Sequence, residues 1–242
     1  MNYGASLSDY FKSPKWMMNT LLGGVCVLIP FIGQIVLKGW LITCFWGRDD
    51  ERPETLPDFD FNHFGKYLER GLWPFLVTLV SGIVISMAAC VVIVPFTTLI
   101  TLLGSHDHDS LGGCAAAVLF IFLMVFYLVL IVGLVVLLTP LTIRASLTQD
   151  FGSAFNFAFI KRFIALTWKE IIIASLFLVA ASVVLTAVGA IIFCVGIYFA
   201  TVVVYFCWVH LQKQLYRLYL SRGGEPVPVS PKLHDAIAPA PL

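Results

Sequence analysis

The sequence predicts an all-α integral membrane protein: an N-terminal membrane hairpin, re-entrant or short, followed by two transmembrane helical pairs with interfacial amphipathic helices between them. Composition is the first sign. Of the 242 residues 60% are apolar and only 12% charged, and the mean hydropathy is +0.93, which leaves too little polar surface to coat a soluble globule. The second sign is segregation, because nearly all ions fall between four long apolar runs, 16–46, 72–103, 111–143 and 171–210. The third is the sidedness of the basic residues, which in short loops stay cytoplasmic while acidic ones count for little.

A hydrocarbon core of about 30 Å needs about 20 helical residues, and the last run is roughly twice that length. Lys12 and Lys15 precede the first run, and Arg48, Arg52, Lys66 and Arg70 follow it. Arg144, Lys161, Arg162 and Lys169 follow the third run, and Lys213, Arg217, Arg222 and Lys232 close the chain. The loop 104–110 has no basic residue, and neither has the turn AVGAIIFCVG, whose glycines can divide the fourth run. Keeping every basic segment on one side makes the second and third runs one spanning pair and the fourth run another.

It also requires the first run to enter and return. In IPFIGQIVLKGWL, Pro30 removes a helix hydrogen bond and Gly33 permits a sharp turn, so the tip is expected near Ile29–Gln34. Gln34 and Lys38 are the candidate polar intramembrane positions. Lys38, on the returning arm, is expected to snorkel to the cytoplasmic face, since a midplane lysine costs about 2.5 to 3.5 kcal/mol. The competing reading is one long Pro-kinked span with the N-terminus outside.

The N-terminus lacks the order of a signal peptide and is expected to stay on the mature chain. Ser6 and Asp9 have capping-box spacing ahead of Pro14. Two cytoplasmic segments read as interfacial. In DFGSAFNFAFIKRFIALTW, Phe151, Phe155 and Phe159 recur at i+4, and Lys161, Arg162 and Lys169 are candidate lipid-phosphate contacts. FDFNHFGKYLERGLW offers Phe59, Phe61, Phe64, Tyr67 and Leu68 similarly; core packing is the alternative role for these aromatics. Residues 1–220 form a single multi-pass membrane domain, and 221–242, rich in proline, read as a disordered cytoplasmic tail that tolerates truncation.

Several phrases in order, YFKSPKWMMNTLLGG, IPFIGQIVLKGWL, ETLPDFDFNHFGKYLERGLW and LTIRASLTQDFGSAFNF, resemble the prokaryotic membrane family catalogued as domain-of-unknown-function family 4013. The resemblance extends over roughly 7–220. Its hallmarks fall here on the Pro and Gly of the first run, on Gly39 and Trp40, on Leu56, Pro57 and Asp58, and on Asp150 to Phe155. The resemblance implies a multi-pass protein of the cytoplasmic (inner) membrane of a prokaryote and brings no catalytic residue with it.

Little in the residues points to chemistry. Cys26, Cys44, Cys90, Cys114, Cys194 and Cys207 lie in or beside apolar runs with no CxxC spacing, as six free thiols would. His106, Asp107, His108 and Asp109 have metal-ligand composition, but strict alternation in a short loop closes poorly around one ion. The acidic loop around Asp49–Asp60 lacks calcium-loop spacing, and Asp58 and Asp150 read as helix N-caps. No nucleophile signature or phosphate loop occurs, no cofactor is called for, and no basic-aromatic run suits nucleic acid. Gly82 and Ser86 make a small-xxx-small pair suited to helix contact.

The expected role is therefore non-enzymatic, a structural or accessory subunit whose partners are the lipid bilayer and other membrane subunits or itself, or a bilayer-shaping protein. A small-solute transporter or channel using Gln34 and Lys38 is the alternative. A lipid-acting membrane enzyme comes third.

Overall fold

The computed structural model describes residues 1–48, 52–104, 110–191 and 196–234, and among them every regular element is helical. The chain opens with α1 (Tyr3–Ser8), whose free N–H groups are capped by Asn2: its side chain accepts from Ala5 N at 3.0 Å. The capping box expected at Ser6 and Asp9 is not used. Ser6 is buried and its hydroxyl donates to Tyr3 O, while Asp9 pairs with Lys12 at 2.7 Å.

The first apolar run is two helices, α2 (Trp16–Val27) and α3 (Ile32–Phe45), separated by Leu28–Phe31. Pro30 lacks the N–H that would continue α2, and Phe31 takes a left-handed φ of 60°. Gly33 then lies so close to the end of α2 that a Cβ there would come within 1.7 Å of Cys26 O.

Each of the other long runs is longer than a bilayer needs. These are α4 (Phe64–Gly104), α5 (Ser110–Thr148) and α7 (Phe157–Ile191), with the short α6 (Phe151–Ala154) before α7 and α8 (Gly196–Ser221) after it. At 1.5 Å per residue α4 is about 60 Å long, roughly double the hydrocarbon thickness, so it passes through two environments. The burial pattern shows them. Leu37, Trp40, Tyr67, Ile143, Phe163, Phe206 and Leu215 are completely or almost completely buried, and they belong to α3, the start of α4, the end of α5, the start of α7 and α8. Met87, Val91, Val118, Ile121 and Leu176, on the remaining lengths of α4, α5 and α7, are 60% or more exposed.

The close-packed end is fastened by backbone contact. A Cβ on Gly39 would come within 1.7 Å of Tyr67 O, and one on Gly71 within 1.9 Å of Ile35 O. This reciprocal register sets α3 antiparallel to α4. Two of the phrases that carry the family resemblance meet here, since the Trp40 indole donates to Pro57 O at 2.9 Å. Asp58, expected to cap a helix, instead accepts from Asn19 Nδ2 and pairs with Lys15, and Asn19 Oδ1 accepts from Phe59 N. The cap falls to Asp60, which accepts from Asn62 N at 2.9 Å and whose carboxyl is thereby held below the usual range. Asp150 does cap α6, accepting from Ser153 N at 2.6 Å.

Of the segments read as interfacial, 64–70 and 157–169 are the first turns of α4 and α7, and Phe59, Tyr67, Phe159 and Phe163 are core residues. Part of their apolar surface meets other helices, with Tyr219 packed on both Phe159 and Phe163, while Phe61, Phe157 and Trp168 are exposed. The tail read as disordered is, from Arg222 to His234, laid across the packed end. Val227 and Leu233 are buried, Val227 N donates to Tyr216 Oη at 2.8 Å, and Ser230 N donates to Leu147 O at 2.8 Å. Buried Arg70 donates to Thr43 Oγ1 and to Lys232 O, giving the tail a polar anchor.

Candidate functional site

A large opening among the described residues lies where α3, α4 and α8 meet. It is a groove of about 780 Å³ whose floor carries Gln34 and Lys38 of α3 and Tyr205 of α8, and whose long wall is α4. On that wall Thr78, Gly82, Ser86 and Cys90 repeat at i+4, so one face of α4 presents small side chains along about 18 Å. Leu79, Ile83 and Met87 border the groove and are themselves exposed, so it opens on the apolar surface of the protein. A smaller cavity of about 100 Å³ adjoins it, sharing Lys38, Thr78 and Tyr205 and adding Thr142, Ser146 and Gln212.

The direction of Lys38 follows from the backbone. Side chains on a helix lean toward its N-terminus, and the N-terminus of α3 is the turn at 28–31. Lys38 therefore points toward the tip, with its Nζ 5.7 Å from the centre of the Phe75 ring. Lys38 is thus directed into the groove. Lys38 is half-buried, and among the described residues the Phe75 ring face is the contact its ammonium makes.

Around it the polar groups are largely committed. Thr78 Oγ1 donates to Pro74 O, Ser146 Oγ donates to Thr142 O, and Gln212 Nε2 donates to Thr142 Oγ1 at 2.8 Å. Among the described residues lining the groove there is an ammonium, an amide and hydroxyls, and no carboxylate or imidazole. Such a set accepts an oxyanion rather than a metal ion.

The other candidates lie apart from the groove. Arg162 donates to Glu225 Oε1 at 2.5 Å and to Gly223 O, Lys161 is exposed, and Lys169 sits over Trp168 with its Nζ 5.6 Å from the ring centre. His106, Asp107, His108 and Asp109 lie outside the described residues, as does Cys194; Cys26, Cys44, Cys90, Cys114 and Cys207 are free thiols. Sequence reasoning singled out Gln34, Lys38, Gly82 and Ser86, and Cys90 only as a free thiol, but not Thr78 or Tyr205. The i+4 series through 78, 82, 86 and 90 was the available signal. Gly82, suited to close helix contact, has nothing within 4 Å of a Cβ built on it, so no element among the described residues packs there.

Fold and site together define an all-helical chain that has, among the described residues, three helices long and apolar enough to cross a membrane, Phe61–Leu102, Cys114–Thr148 and Phe157–Ile191. α8, with His210, Gln212 and Lys213 inside it, is not one of them. The chain belongs to the family described as protein of unknown function DUF4013, whose family model matches residues 22–194. No curated protein and no solved structure matches it.

Proposed function

We propose that the chain is a multi-pass integral membrane protein with a non-enzymatic role, a structural or accessory subunit that works by lateral contact in the bilayer. The observation that carries this is the division of its long helices. In α4 and α7 no charged residue follows Arg70 and Glu170, and in α5 none precedes Arg144. Beyond Glu170, α7 continues from 171 to 191, about 30 Å, the thickness of the hydrocarbon layer. Its Leu176, Val179, Val183 and Val184 are exposed, as are the matching lengths of α4 and α5. An apolar surface that broad is stable only against lipid or another apolar protein.

Lys66, Arg70, Arg144, Lys161, Arg162 and Lys169 all fall on the packed side, which favours that side, and both termini with it, as cytoplasmic. In this frame α2 and α3 dip into one leaflet and return. The Gly39–Tyr67 and Gly71–Ile35 register carries the 28–31 turn roughly 10 Å past Arg70. Exposed Met17, Met18, Leu21 and Val25 on α2, with Phe31 at the tip, then face acyl chains. α4 with α5 and α7 with α8 are the two membrane pairs, the second having the more polar return limb. The family resemblance adds the cytoplasmic membrane of a prokaryote.

The test is gentle solubilisation of the native membrane followed by purification and mass spectrometry of whatever co-purifies. A stoichiometric membrane partner or a defined homo-oligomer is the expected result. Repeated recovery of an isolated monomer, without effect on vesicle shape, would contradict the proposal.

A further inference from the structure

Lys38 presents a physical problem that the subunit role leaves unsolved. A cation directed from a short membrane helix toward the hydrocarbon side is costly unless an anion meets it. The described residues around it offer the Phe75 ring face and no carboxylate. From the same point a groove of small side chains runs along α4 through Thr78, Gly82, Ser86 and Cys90 and opens on the apolar surface.

We infer that this groove is a binding site for an anionic amphiphile, with the oxyanion on Lys38 Nζ and an acyl chain lying along the α4 stripe. Charge complementarity selects the head, because the half-buried ammonium has three donors and a phosphate or carboxylate oxygen is the acceptor it lacks. Gln34, at the same end, adds an amide donor. Shape selects the tail: the stripe is apolar but for hydroxyls and a thiol, and Gly82 leaves open the space that a side chain would fill. A neutral amphiphile would fill the groove and leave the ammonium unpaired. A small free anion would pair the ammonium and leave the groove exposed. The inference rests on the membrane reading above and adds a ligand class to it.

The experiment begins with the full chain, shown to resist alkaline carbonate extraction, then purified in neutral detergent and stripped of lipid. Phosphatidylglycerol, oleate, phosphatidylcholine and inorganic phosphate are titrated in separately, and bound ligand is counted by native mass spectrometry. One phosphatidylglycerol or one oleate per chain is expected at concentrations where phosphatidylcholine and phosphate do not bind; which of the two binds more tightly identifies the head as phosphate or carboxylate. Lys38→Met is expected to weaken that binding about tenfold or more, as loss of a charge-assisted hydrogen bond does. Lys38→Arg should retain it. Gly82→Leu, whose side chain enters open space and spares the core, should block the tail and lose the ligand while unfolding at the wild-type temperature. Equal binding by wild type, Lys38→Met and Gly82→Leu overturns the site even though the chain remains a membrane protein. Binding of phosphate alone, or equal binding of phosphatidylcholine, overturns it too. Release of the chain by carbonate overturns the membrane reading itself.

Discussion

Leu37 and Leu176 are the same residue in helices of similar composition, yet the first is fully buried and the second is 65% exposed. The contrast holds for the two ends of the molecule. At the packed end apolar side chains are covered by other helices, by a loop tied down by Trp40 and Asn19, and by the tail, which Arg70 anchors. At the far end α4, α5 and α7 carry equally apolar side chains with little protein over them. The apolar residues alone do not distinguish these ends; the charged residues, confined to the packed end of α4, α5 and α7, and the protein that covers that end do. A water-soluble protein would have to cover the second surface, whereas a membrane protein leaves that to lipid.

The largest effect should come from glycine substitutions that separate the two ends. Gly71→Leu drives a side chain into Ile35 O, a clash no rotamer relieves, and should abolish monodisperse folded protein by size-exclusion chromatography. Gly82→Leu, on the same helix in the other half, should leave the elution profile unchanged. Leu37→Ala should next destabilise by about 2 to 5 kcal/mol, seen as a lowered unfolding temperature in detergent, because it opens a cavity. Leu176→Ala should stay within about 0.5 kcal/mol.

Stopping the chain after Ser221 should lower stability by roughly 3 kcal/mol, since Val227 and Leu233 lose their burial. Its ion pairs, Arg162 with Glu225 and Lys232 with Glu69, are exposed and add little. Unchanged thermal unfolding after this truncation would mean the tail is only resting on the surface. The smallest effect concerns Asp60. Its carboxyl pKa is lowered by the Asn62 N–H, so its contribution is complete above the ordinary carboxylate range and fades as the pH falls through it, below about pH 4. The difference in unfolding temperature between wild type and Asp60→Ala should be present at pH 7 and shrink on acidification.

Much of the fold was legible because the signals are one-dimensional. Apolar run length gives helices, and Pro30 with Gly33 gives the break between α2 and α3. What was not legible depends on neighbours. The residues 151–169 have the pattern of an interfacial helix, but a stripe that faces lipid and one that faces Tyr219 look alike in sequence. The five prolines after Ser221 argue against a helix, yet an extended segment can still pack, and Val227 and Leu233 do. For the groove, Gln34 and Lys38 stood out as polar residues in an apolar run. Their neighbours did not, because Phe75 and the α4 stripe meet Lys38 only through α3 packing antiparallel to α4.

The central claim, that the far halves of α4, α5 and α7 lie in hydrocarbon while the packed end meets water, is tested most directly by cysteine labelling along α4. In a cysteine-free background, Lys66→Cys and Met87→Cys would each be exposed to a membrane-impermeant maleimide in inside-out vesicles and again after detergent is added; both native side chains are exposed on the protein surface. The account predicts labelling at 66 before detergent and at 87 only after it. Equal labelling of both positions in intact vesicles would contradict it.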